Sequence, residues 1–142
     1  MTQNPLQHTM QPSRTTTIGT LGNVLWLVLA GGAPLALGYA AAGLVCAVTI
    51  IGIPFAIALW RVALYAALPF DHHVIKRQAG VGTGFGGFIA NLLWLITCGW
   101  IMSLCHLIAA LGCAVTIVGL PFAYAHCKLA LLALWPFGRE IV

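Results

Sequence analysis

Polar and apolar positions along this chain fall into long blocks. Two uncharged, mostly apolar runs extend from Thr15 to Trp60 and from Gln78 to Cys127. A helix rises about 1.5 Å per residue and crosses a hydrocarbon core of roughly 30 Å with about 20 residues. Each run is too long for one crossing and suits two.

Within the blocks the chain repeats itself. CAVTIIGIPFA at 46–56 returns as CAVTIVGLPFA at 113–123, and residues 46–75 align on 113–142 at an offset of 67 with 15 of 30 positions identical. Upstream, Asn23-Val24-Leu25-Trp26-Leu27 matches Asn91-Leu92-Leu93-Trp94-Leu95 at an offset of 68, so one residue is gained or lost between the blocks. The repeat divides the chain into a polar leader (1–20), a first membrane repeat (21–75), a Gly-rich linker (76–88) and a second membrane repeat (89–142).

The duplicated Gly-x-Pro reads as a helix stop followed by a helix start. Gly52 and Gly119 suit a left-handed position just past a helix end, and Pro54 and Pro121 suit the first position of the next helix. The pattern predicts helices over about 33–51 and 101–118 before the turns, then shorter ones over 54–68 and 121–135. Gly31-Gly32-Ala33-Pro34 predicts a break in the first repeat. Residues 22–30 then form an interfacial lead, with Asn23 and Trp26 at headgroup depth. The fold class expected is an all-α integral membrane protein, an internal duplication of a helical hairpin with about four membrane helices.

Composition supports this reading: 61% of residues are hydrophobic, 6% are charged, and the mean hydropathy is +1.02. A soluble domain carries about 25% charged residues. The net charge of +4 is not clustered into a basic face, so nucleic acid is not expected as a partner. Its distribution instead sets topology. Arg14, Lys76, Arg77 and Arg139 share one side if each repeat crosses twice, which places both termini and the 71–82 linker in the cytoplasm and makes the repeats parallel. The first run is not read as a cleaved signal peptide, being long and recurring inside the chain.

The Asn-x-x-Trp lead, the Ile-Gly-Ile-Pro turn and the closing Ala-Leu-Trp-Pro-Phe-Gly-Arg-Glu-Ile-Val resemble the YccF family of small bacterial inner-membrane proteins, over residues 21–142. The second repeat is closest to the family pattern at Trp135-Pro136-Phe137-Gly138-Arg139, whereas Asp71-His72-His73 departs from it in the first. The resemblance implies an integral protein of the bacterial inner membrane, of uncharacterised function, and carries over no catalytic or binding residues; the multi-pass arrangement is the reading of the runs and charges above.

Arg61 and Lys128 occupy equivalent positions in the two short helices. A mid-helix cation in lipid costs about 2.5–3.5 kcal/mol, and no acid lies in either run to neutralise it. They are candidate binding residues for an anion or lipid headgroup, set against simple snorkelling toward the interface. Cys46, Cys98, Cys105, Cys113 and Cys127 form no disulfide framework. Cys105-His106, Cys113 and His126-Cys127 gather soft ligands without CxxC or HxxxH spacing, and the first repeat has Leu37-Gly38 and Leu59-Trp60 there, so no metal site and no cofactor are expected. His72-His73 reads as a solvated pair. Thr49 and Thr116 should bond back to helical carbonyls. Gly80-Val81-Gly82-Thr83-Gly84 lacks the Lys-Ser/Thr of a phosphate loop and reads as a connector. With Asp71 and Glu140 as the only acids, acid–base catalysis is poorly provisioned, and an enzyme is not expected.

Two functions remain. One is a packing or accessory protein whose helices contact membrane lipids, a second copy or another membrane protein. The other is an oligomeric channel or transporter for a small anionic solute.

Overall fold

The computed structural model describes residues 16–80 and 82–142. Arg14 and the leader up to residue 15 lie outside the described residues. The chain is mostly helical: α1 (Thr17–Leu29), α2 (Gly32–Ala47), α3 (Ile53–Ala67), α4 (Gly84–Trp94), α5 (Trp100–Ala114) and α6 (Leu120–Leu134). A π-helical turn, Leu95–Gly99, joins α4 to α5. Two short strands, β1 (Val74–Lys76) and β2 (Arg139–Ile141), complete the fold.

The helix breaks follow local chemistry. Thr16 caps α1, its hydroxyl oxygen accepting from the Gly19 N–H at 3.1 Å. Gly31 then takes φ 81°, a conformation costly for residues with a Cβ. Pro34 sits in the first turn of α2, where its missing N–H is tolerated. The axes of α1 and α2 meet at 77°. The second half has Cys98-Gly99-Trp100-Ile101 there, without proline, and α4, the π turn and α5 run as one apolar helix of 31 residues. This helix replaces the expected one over 101–118. It is long and apolar enough to cross a membrane.

The one-residue change of offset falls at this break. Gly32 lies against the indole of Trp26, six positions before it, and Gly99 against the indole of Trp94, five positions before it. The π turn, with its i→i+5 spacing, stacks Gly99 over Trp94. The first half reaches the same contact by bending.

After the breaks, α2 packs against α3 and α5 against α6 as two tight hairpins. The turns are corrected in one respect. Gly52 (φ −77°) and Gly119 (φ −78°) are right-handed, not left-handed. Glycine is required because a Cβ there would run into the Cys46 or Cys113 carbonyl and the Thr49 or Thr116 hydroxyl. Those hydroxyls donate to the same carbonyls and accept from the Gly52 and Gly119 N–H groups at 3.0 Å. Pro54 and Pro121 stand in the first turns of α3 and α6. Each of these helices has 15 residues, about 22 Å of rise.

Asn23 and Trp26 turn inward on the protein, and Trp26 is fully buried. The Trp26 indole N–H donates to the Ala66 carbonyl at 2.7 Å, and Trp94 does the same to Ala133 at 2.7 Å. Both acceptors lie in the last turn of a short helix, where carbonyls have no intrahelical partner. Asn23 and Asn91 accept from the Phe70 and Phe137 N–H groups at 3.1 and 3.0 Å. Asn-x-x-Trp therefore closes the end of the neighbouring short helix.

The halves meet through reciprocal aromatic contacts. Trp26–Phe122 and Trp94–Phe55 have centroids 6.2 and 6.3 Å apart; Phe70–Phe122 and Phe137–Phe55 are at 5.9 and 5.2 Å. β1 and β2 pair antiparallel in the register Val74↔Ile141, Ile75↔Glu140, Lys76↔Arg139. Because Val74 and Ile141 are themselves equivalent, this ladder straddles an approximate two-fold axis.

Candidate anion-binding grooves

The strand ladder collects charge at one end of the molecule. Lys76 and Arg139 face each other in the register, and Arg77 pairs with Glu140 at 3.9 Å. The opposite end, at Thr49–Gly52 and Thr116–Gly119, carries no charged side chain.

Arg61 and Lys128 are half-buried on α3 and α6, one to two turns before each helix ends beside the ladder. Neither makes a ring contact between the halves, and each lines a groove to which both halves contribute. Arg61 borders a shallow groove of about 290 Å³ with His72, Arg77 and Glu140. It also borders a cavity of about 850 Å³ beneath the start of α4, with Arg77, Phe55 and Phe137. Lys128 borders a groove of about 620 Å³ with Arg139, His73, Tyr65, Tyr124 and Leu131. Its Nζ lies 4.5 Å from the centroid of the Tyr124 ring. The two cations are not brought to one site.

Gly52, Pro54, Gly119 and Pro121 form the turns at the other end. His72 sets Nδ1 2.8 Å from the Leu68 carbonyl, while His73 is exposed. Cys105 and Cys127 face outward and Cys113 is half-buried. Among the described residues no group of three or more His, Cys, Asp or Glu could hold a metal.

A polar row that the linear reading missed crosses the apolar core. Tyr39 Oη is 2.8 Å from His106 Nε2, and His106 Nδ1 is 3.2 Å from His126 Nδ1. All three residues are buried. Nε2 of His126 has no hydrogen-bond partner among the described residues. The shift at the π turn makes Tyr39, not Gly38, the equivalent of His106. Moving the offset change to just after Trp94 would have revealed that pairing.

The sequence pattern of the YccF family, described as an inner membrane component domain, matches residues 21–72 and again 89–139. The chain is 34% identical over 129 residues to the inner membrane protein YccF of Escherichia coli (strain K12), covering 87% of this chain and 86% of that protein. The Shigella flexneri protein of the same name matches to the same extent. No solved structure matches. With the repeated motif matched twice and most of both chains aligned, this chain belongs to the YccF family of inner membrane proteins.

Proposed function

We propose that this chain is a multi-pass inner-membrane protein built from two parallel, duplicated helical hairpins, acting as a packing or accessory component rather than an enzyme. Both termini and the 71–82 linker lie on the cytoplasmic side. The observation that carries this reading is polarity along the molecule. Outward aliphatic residues such as Val28, Leu37, Val45, Ile108 and Leu111 cover the helices, and the cations collect beside the ladder. Apolar side chains facing lipid cost nothing, whereas in water such a surface would drive association. Cations near span ends favour the cytoplasmic side.

Cysteine labelling in a cysteine-free background tests the topology. Residue 78 should react from the cytoplasm, and labelling from the outer face would overturn the parallel arrangement.

The alternative, an oligomeric pathway for a small anionic solute, draws on the paired cations and the bent α1–α2 segment. The two halves enclose little volume beyond the cavity that Arg61 borders, so such a pathway would lie between copies. Anion flux in liposomes that Arg61→Ala plus Lys128→Ala abolishes would favour it. Absence of flux leaves the packing reading.

A further inference from the structure

The two halves place the same backbone around two grooves but line them differently. In the Lys128 groove, α6 supplies Tyr124, Lys128 and Leu131, α3 supplies Tyr65, and the ladder supplies His73 and Arg139. The sequence equivalents of Tyr65, Tyr124 and His73 are Leu132, Ile57 and Glu140, and the Arg61 groove is lined by Glu140 and His72 with no tyrosine. Glu140 pairs with Arg77 there, so that groove already holds an anion. Lys128 and Arg139 have no carboxylate partner among the described residues.

Tyr65 is the second observation. It is 1% exposed, yet its hydroxyl makes no hydrogen bond with any described residue. The hydroxyl keeps access to the groove that Tyr65 lines, and stands there with its hydrogen-bonding capacity unused beside two uncompensated cations. Tyr124 and Leu131, 64% and 70% exposed, open the same groove toward the outward apolar surface.

We infer that the Lys128 groove binds the phosphate of an anionic phospholipid. Lys128 and Arg139 compensate the phosphate charge, and Tyr65 donates a hydrogen bond to one of its oxygens. The acyl chains lie along the outward face of α6 past Leu131. The Arg61 groove, lacking both tyrosines and carrying Glu140, serves as a built-in control. This inference rests on the membrane reading above.

The test uses the full chain in neutral detergent, titrated with short-chain phosphatidylglycerol, with bound lipid counted by native mass spectrometry. Lys128→Gln should weaken binding by about tenfold and Tyr65→Phe by several-fold, while Arg61→Gln stays within about twofold of the unmodified chain. Lys128→Arg should restore binding, which separates loss of charge from loss of fold. Equal weakening by Lys128→Gln and Arg61→Gln, or no weakening by either, would overturn the assignment. So would equal binding of zwitterionic phosphatidylcholine. Inorganic phosphate at matching concentration should not displace the lipid; displacement would assign the groove to free phosphate instead. Membrane integration is read separately, by resistance of the protein in native membranes to alkaline carbonate. Extraction there would end the membrane reading, while the detergent titration reports on the groove alone.

Discussion

Asn23 and Asn91 each use both ends of one side-chain amide. The oxygen accepts from the backbone N–H of Phe70 or Phe137, and the nitrogen donates to Asp71 or to the Phe137 carbonyl. The second site is the more deeply buried, so Asn91→Ala leaves Phe137 with an N–H that water cannot reach. We expect a loss of about 2 kcal/mol in detergent, larger than for Asn23→Ala. Thermal unfolding gives the order, and the reverse order would remove burial as the reason. Gly52 makes a different case. Its backbone is one that any residue adopts, and what excludes a side chain is the Cys46 carbonyl beside it. Alanine should therefore be nearly as damaging as valine at Gly52 and Gly119, each exceeding the roughly 1 kcal/mol of helix propensity. An alanine variant as stable as the unmodified chain would show that the turn opens freely. Glycine at these positions was legible from the Gly-x-Pro pattern; the reason for it was not, because left-handed backbone and close approach select the same residue.

At the scale of elements, α3 and α6 were readable to within about a residue at each end, because proline opens them and apolar sequence runs to the Trp/Leu-Pro that follows. The course of α4 into α5 was not. Nothing in composition separates a helix that bends at Gly31-Gly32 from one that widens into a π turn, when both put glycine against an indole. The strand ladder was also hidden. Each strand has three residues, and Val74-Ile75-Lys76 finds Arg139-Glu140-Ile141 across a long sequence separation, beyond any local periodicity. Removing residues 139–142 should free β1, lower the unfolding temperature and expose the segment around Lys76 and Arg77 to trypsin. Unchanged cleavage there would mean that the ladder contributes little to holding the linker.

For the whole molecule, equivalent contacts relate residues 16–80 to 82–142, and the departures from equivalence are where chemistry enters. Arg61 and Lys128 were visible as candidates because charge stands out in an apolar run. The groove that distinguishes them was not visible, since it needs Tyr65 from α3 and Arg139 from β2 beside Lys128. The core departs too. Tyr39 and His106 face each other at equivalent positions, but His126 corresponds to Leu59, so the polar row leans toward the second half alone.

The indole caps bear on how such a chain is made. Trp26 closes the end of α3 and Trp94 the end of α6, so each pair lies within one half. In the arrangement proposed above, the first half can enter the bilayer with the last-turn carbonyl of its short helix already satisfied, the requirement hydrocarbon imposes most strictly. What awaits the second half is an aromatic face, and lipid tails can cover that meanwhile at little cost. That arrangement would let biogenesis proceed one hairpin at a time, with the two halves joining in a later step inside the membrane.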